Sequence, residues 1–288
     1  MIMMKEEKNR IVGGMLYLVA TPIGNLADIS QRALKVLSEV DFIAAEDTRN
    51  TLRMLTCFGI SKPLISYFEH NKAQRGEQIA ARLIDGESCA LVTDAGMPAI
   101  SDPGEDIVRL CAERGIPVTV IPGACAGICA LALSALSTER FCFEGFLPVK
   151  KTDRRGRLDA LKNEERTMIF HEAPHKLKDT LSDLAKCFGE DRRIALCREL
   201  TKLNEEIMRV TIGEAVAYYA ENAPRGEYVL VVEGGEPVSS ESQMNTLSVE
   251  EQVVLYINCG MSKMDAIKKV AKERGIPKND VYSLFKND

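Results

Sequence analysis

From Met15 onward, short apolar runs alternate with stretches of helical periodicity. That alternation restricts the chain to an α/β architecture, in which buried strands are crossed by helices. LYLVA (16–20), FIAAE (42–46), PLISY (63–67), SCALVT (88–93) and PVTVI (117–121) read as the strands of a first, mostly parallel sheet. Between the first two, Ser30 to Val40 has Ile29, Ala33, Val36, Leu37 and Val40 on one face, with Asp28 as its expected cap. Lys72 to Ile84 is a second expected helix, stopped by Gly86. A second series of runs follows a change in composition near Leu136: FCFEGFL, RTMIFHEA, RIALCREL, EIMRVTI and EYVLVVEG. EIMRVTI alternates most and is expected to pair antiparallel; Lys176 to Phe188 is expected to be helical.

The connection TDAGMPAISDPG (93–104) is longer than the two to six residues or so that a strand-to-helix loop needs. It also carries two glycines and two prolines, at the carboxyl end of a strand where open α/β sheets form their crevices. A ligand explains it better than plain connection. Pro103 is expected to open the next helix, with Asp102 as its cap. PGACAGICALALSAL then gives a helix of small residues, suited to close approach to a sheet or to a ligand.

Composition excludes several classes. With 45% hydrophobic and 27% charged residues, the chain is ordinary for a globular protein. No run approaches the ~20 apolar residues of a membrane span. MIMMKEEKNR lacks a signal peptide's apolar core, so a cytoplasmic location is expected. The nine cysteines are odd in number, and Cys89, Cys111, Cys125, Cys129 and Cys197 lie in apolar segments, so they read as reduced core residues. Of the three histidines, His171 and His175 are separated by Pro174, which argues against a helical metal face; no metal site is expected. The net charge of −5 disfavours a whole-surface nucleic-acid binder. Two basic stretches remain as RNA candidates or solvated helix faces: Lys150, Lys151, Arg154, Arg155, Arg157 and Lys162, and the C-terminal Lys263, Lys268, Lys269, Lys272, Arg274 and Lys278.

ATPIGNLAD has one glycine where a dinucleotide site needs three, and no GxxxxGK[ST] occurs, so a phosphate-bearing cofactor is not expected. LYLVATPIGNLADIS, AAEDTRNT, LVTDAGMPAISDPG, IPGACA, FEGFLP, IFHEAPHKL and RGEYVLVVEG, in this order, closely resemble the bacterial 16S ribosomal RNA (cytidine-2′-O)-methyltransferases. These belong to the tetrapyrrole-methylase superfamily, the class III S-adenosylmethionine-dependent methyltransferases. The resemblance spans Met15 to Gly234, and the tail also looks similar.

The resemblance implies two α/β domains with S-adenosylmethionine in the cleft between them, a homodimer, and the 16S rRNA of the small ribosomal subunit as substrate. The expected division is an N-terminal tail (1–14), an N-terminal α/β domain (15–136), a C-terminal α/β domain (137–236), a linker (237–247) and a small helical piece (248–288). Aligned on the family's cofactor loops, Ile23, Asp94, Met97, Cys125, Ala126 and Pro174 are the implied cofactor residues. Cys125 replaces the family's usual serine, which removes a hydroxyl contact but not close packing. Asp94 equally suits a loop-bonding role.

Methyl transfer to a ribose hydroxyl needs orientation and benefits from a base. Asp47, Glu172 and His175 are the base candidates, with Glu46, Glu69 and His70 behind them. An ion pair with Arg49 is the preferred reading of Asp47, and helix capping that of His175. The alternatives are a small-molecule (tetrapyrrole or precorrin) methyltransferase and a non-enzymatic ribosome-assembly factor that binds RNA, since fold alone does not prove activity.

Overall fold

The computed structural model describes residues 9–235 and 247–285, and the chain divides into two units, 1–234 and 235–288. Residues 1–8 of the expected tail lie outside the described residues, as do 286–288 and 236–246, which take in the end of the expected second domain and all of the expected linker but Leu247.

The first unit contains two five-stranded sheets. The N-terminal sheet comprises β1 (Leu16–Val19), β2 (Phe42–Ala45), β3 (Leu64–Ser66), β4 (Cys89–Val92) and β5 (Val118–Ile121), in the order β3-β2-β4-β1-β5. All neighbouring pairs are parallel. Its strands are apolar along their length because helices cover both faces. Leu16, Phe42 and Leu91 pack with residues of α3 (Lys72–Ile84) and α4 (Glu105–Glu113), while Val19, Ile43 and Val92 pack with α1 (Gln31–Glu39) and α2 (Thr48–Cys57).

Two helix starts differ from expectation. Ser30, not Asp28, caps α1, its hydroxyl accepting from the Ala33 N–H at 3.0 Å. Asp28 instead ends a short 3-10 turn, Leu26–Asp28, that Asn25 caps. Neither Pro103 nor Asp102 starts α4. The capping residue is Gly104 at φ 151°, where a Cβ would stand 2.9 Å from the Ala99 amide nitrogen. The folded-back 93–104 loop demands a glycine there, and that demand moves the helix start past Pro103.

The second sheet comprises β6 (Phe141–Phe146), β7 (Thr167–Glu172), β8 (Arg193–Arg198), β9 (Glu206–Thr211) and β10 (Tyr228–Val232), in the order β6-β7-β10-β8-β9. Only β6 and β7 are parallel; β10 runs against both β7 and β8, and β9 runs against β8. The alternation of β9 announces its direction. The reversal of β10 is silent in sequence because YVLVV is buried on both faces.

Helices α6 (Lys151–Ala160), α7 (Leu177–Phe188) and α8 (Ile212–Glu221) cover one face of this sheet. The other face takes α5 (Ala126–Leu133), which follows β5 of the first sheet. Ala130 and Leu131 of α5 cluster with Ile169, Ala195, Cys197 and Val231. Its small residues serve close helix–sheet approach: a Cβ at Gly127 would meet the Phe143 ring at 3.3 Å. One helix thus joins the two lobes.

Two residues of the basic stretch 150–162 are engaged inside their own lobe, while Lys150, Lys151, Arg155 and Lys162 remain exposed. Arg154 is buried and donates two hydrogen bonds to Asp183 Oδ2 on α7, at 2.7 and 2.9 Å. Arg157 Nε binds Glu144 Oε2 at 2.8 Å.

The second unit contains α9 (Val249–Asn258), α10 (Lys263–Arg274) and α11 (Lys278–Ser283) around Val253, Tyr256, Ala266, Ile267, Val270 and Val281. Val254 and Leu284 are exposed, whereas Tyr256 is buried in this core. Two of the C-terminal lysines lie over aromatic rings, Lys269 over Tyr256 at 4.2 Å and Lys263 over Phe285 at 5.6 Å.

Candidate functional site

Adjacent parallel strands deliver their following loops to one edge, so β4, β1 and β5 bring residues 95–102, Ile23 and Cys125 together. In the second sheet, β7 and β8 both oppose β10, so their carboxyl ends lie beside its start. Between these two sets of termini lies a cavity of about 430 Å³, within the range that holds small ligands. Its first-lobe wall includes Ile23, Gly96, Met97, Ile100, Asp102 and Ala126, and its second-lobe wall includes Phe143, Phe146, His171, Pro174, Leu200 and Val229.

Both walls include strained backbone. Ala99 and Ser101 have φ of 68° and 62°, and Glu199 and Thr201 have φ of 51° and 67°. Left-handed non-glycine residues cost about 1–3 kcal/mol each and cluster at ligand sites. The β1 loop meets the β8–β9 loop at one side: a Cβ on Gly24 would stand 2.4 Å from Lys202 Cγ, so glycine is required for that approach. Lys202 Nζ bridges Glu199 at 2.9 Å and Glu227 at 2.8 Å, and this pairing holds the Glu199 carboxyl below its ordinary range.

Of the residues singled out in the sequence, Ile23, Met97, Cys125, Ala126, Pro174, Glu172 and His175 line the cavity. Asp94 and Asp47 are not among its lining residues. Asp94 is exposed and accepts from Asn50 Nδ2 at 2.8 Å. Asp47 caps α2 through the Arg49 N–H at 2.8 Å and binds the Arg49 guanidinium through both oxygens, at 3.1 and 2.6 Å. That contact holds its carboxyl far below the ordinary range. Glu69 is paired with Lys72 at 2.8 Å, and His70 packs edge-on to Phe68; neither reaches the cavity.

Glu172 is 5% exposed, and its two oxygens are taken by the Thr180 hydroxyl and the Ala173 N–H. His175 does not cap α7, whose first turn has no side-chain cap. His171 stands edge-on to Phe143 and Phe146, with ring centroids 5.2 and 5.3 Å away, and burial lowers its pKa.

Sequence reasoning missed Glu199, Leu200, Lys202 and Glu227, because a reversed β10 is needed to bring residues 199–202 and 227 to the same edge. It also gave Asp102 the wrong task. Asp102 lines the cavity, and its carboxyl is pushed up to about 6 by burial first, then by the charges of Glu46 and Asp94. Burial likewise raises Glu46, with Asp94 and Asp47 adding repulsion. Among the described residues, no three His, Cys, Asp or Glu side chains are grouped to hold a metal ion, and no helix is long and apolar enough to cross a membrane.

The sequence pattern of the Tetrapyrrole (Corrin/Porphyrin) Methylases matches residues 15–216. The chain belongs to this methylase family. Curated relatives include a "Ribosomal RNA small subunit methyltransferase I" of Halalkalibacterium halodurans, 49% identical and covering 94% of each chain. One of the same name from Bacillus subtilis is 47% identical, also over 94% of each. Among solved structures, the uroporphyrin-III-C-methyltransferase of Thermus thermophilus has a TM-score of 0.55 at 19% identity, covering 76% of this chain and 94% of its own. At that identity the likeness establishes the family fold of two α/β domains. The small C-terminal helices are additional to the family pattern, which ends before them.

Proposed function

We propose that this chain transfers the methyl group of S-adenosylmethionine to the ribose 2′-oxygen of a cytidine in the 16S rRNA of the small ribosomal subunit. The observation that carries the reading is that relatives named for small-subunit rRNA methylation match along nearly the whole chain, with the methylase fold and its cleft intact. A small tetrapyrrole substrate is not favoured, because the solved structures acting on such molecules share under one fifth of their residues with this chain.

The cavity suits the cofactor. Its walls are mostly apolar, as an adenine ring requires, and its one lysine, Lys202, is already held by two carboxylates. A phosphate-bearing ligand would find no free cation there, whereas a sulfonium and an ammonium find Asp102 and loop carbonyls. Ile23, Met97, Cys125, Ala126 and Pro174 would hold the nucleoside, and Asp94 stands one residue beyond the wall. When bound, the cofactor supplies an electrophilic methyl group; the residues of the chain orient the ribose oxygen against it and exclude water.

The protein acts as a homodimer in this reading. Helix α5 is apolar around its whole circumference, and Ile128 and Leu133 on it, with Val120 and Phe141 nearby in sequence, remain exposed in the single chain. A second copy covers such a face. Its place is the cytoplasm, where small subunits are assembled.

Purified protein is expected to transfer labelled methyl groups to small subunits or 16S rRNA prepared from cells lacking the enzyme, one group per RNA, at a cytidine 2′-oxygen. Cofactor binding with no transfer to either substrate would instead assign a non-catalytic assembly role.

A further inference from the structure

Strand β6 carries a bulge at the cavity. Phe143 pairs with Ile169 and Gly145 with Phe170, so Glu144 is an extra residue set against one step of β7. Without it, Phe146 would face the covering helices of its lobe; with it, Phe146 stands opposite His171 on the cavity face. Bulges re-aim side chains in this way beside functional sites. This one is held from two directions. Arg157 Nε of α6 binds the Glu144 carboxylate at 2.8 Å, and Gly145 takes φ 62°, where a Cβ would stand 3.1 Å from Ser101 Oγ.

The ring so placed does not fill the core. Phe146 lines the cavity yet is 58% exposed, so it stands where the cavity opens to solvent, whereas Phe143 is already packed beside Gly127 of α5. His171, edge-on to Phe146, has its Nε2 buried without a hydrogen-bond partner among the described residues. Buried polar atoms are normally paired, so this one is set to meet a polar atom of a ligand. Beyond Phe146 the chain continues through exposed Val149 to exposed Lys150 and Lys151, and Lys150 has only a loose contact with Asp153 at 3.6 Å. An open aromatic face followed within five residues by two exposed lysines suits a single-stranded nucleic acid, whose base stacks on the ring while its backbone meets the cations.

We propose that the Phe146 ring stacks the base of the nucleotide being methylated, splayed out of the RNA, while Lys150 and Lys151 hold the phosphates beside it. The proposal rests on the rRNA methyltransferase reading above and adds how the target nucleotide is seated. The 2′-oxygen has to reach the methyl donor inside the cavity, and the base hangs from the adjoining carbon of the same sugar. The base therefore sits at the cavity mouth, where a base stacked within a duplex cannot follow. Stacking accepts any base, so Phe146 sets the pose of the nucleotide rather than its identity.

The test uses the full chain with small subunits from cells lacking the enzyme. The chain has no tryptophan, so Phe146→Trp supplies a single reporter at the contact, and the wild-type protein is the blank for tryptophans of the subunit. Small subunits should quench the reporter, and S-adenosylmethionine alone should not. Phe146→Ala should raise KM for small subunits about 10–100-fold, lower kcat less than that, and change cofactor affinity no more than about threefold. Phe146→Trp should keep KM near the wild-type value, and Phe146→Leu, bulky but without a π-face, should behave like the alanine variant. Replacing Lys150 and Lys151 together by alanine should reduce the slope of log affinity against log salt by about 1.4.

An alanine variant with KM near that of the wild type overturns the proposal. So does quenching by cofactor alone, which would make the ring a platform for adenine, or a leucine variant as active as the wild type, which would make it an apolar contact to a subunit protein. A changed oligomeric state would make Phe146 an interface residue, and an unchanged salt slope would leave the lysines without phosphates; either also overturns it. Quenching by small subunits without methyl transfer by the wild type is a different failure, that of the proposed function itself.

Discussion

Arg154→Met is expected to lower the unfolding free energy of the first unit by about 3–5 kcal/mol, a large part of a domain's total stability. The substitution leaves the Asp183 carboxylate, whose side chain is 5% exposed, without its main cation; Arg155 reaches it only at 3.6 Å from a half-exposed position. Urea unfolding followed by circular dichroism measures the loss. The double variant Arg154→Met, Asp183→Leu should recover most of it, because replacing both members of a buried pair with apolar groups is close to neutral. A single variant that loses under about 1 kcal/mol would mean that the pair is solvated and that α6 offers Arg154 to a partner after all. The outcome bears on function, since it decides whether Arg154 belongs to the core of its lobe or to the basic surface formed by its exposed neighbours Lys150, Lys151, Arg155 and Lys162.

Ala126→Phe is expected to weaken S-adenosylmethionine binding by at least about 100-fold, or about 2.8 kcal/mol, with the fold retained. Ala126 opens α5 and lines the cavity, so a phenyl ring there occupies space that the nucleoside needs. The residue is only half-buried, so the ring has room to turn without disturbing Ala130 and Leu131, which anchor the helix on the second sheet. Calorimetric titration gives the affinity and thermal unfolding gives the stability. Unchanged affinity would place the cofactor elsewhere. A lost fold would show that the helix start is packed more tightly than its exposure implies.

The strands of the described residues are legible because most are short apolar runs between breakers and β9 alternates, and α3 is readable to its ends from Lys72 and Gly86. Local periodicity does not encode which strands meet. β10 is buried on both faces and so carries no sign of its direction, yet its reversal sets Glu227 beside Glu199 and Lys202. Helix caps depart from the pattern for two reasons: Asp28 is taken into the 3-10 turn that Asn25 caps, and Asp102 lies on a loop that folds back on itself. For Asp102, the close approach of Ala99 to Gly104 shifts the cap and leaves the carboxylate at the cavity. In the candidate site, the apolar and small residues on the first-lobe loops could be read from the chain. The second-lobe wall could not, because residues 199–202 carry no motif.

The claim on which this account turns is that the methyl donor lies between the carboxyl ends of the two sheets. Hydrogen exchange of the full chain with and without S-adenosylmethionine measures that position directly. Slower exchange is expected in 94–102, 123–127, 171–175, 197–202 and 227–229, and no change within 248–285. Protection confined to other segments, or none at saturating cofactor, would contradict it.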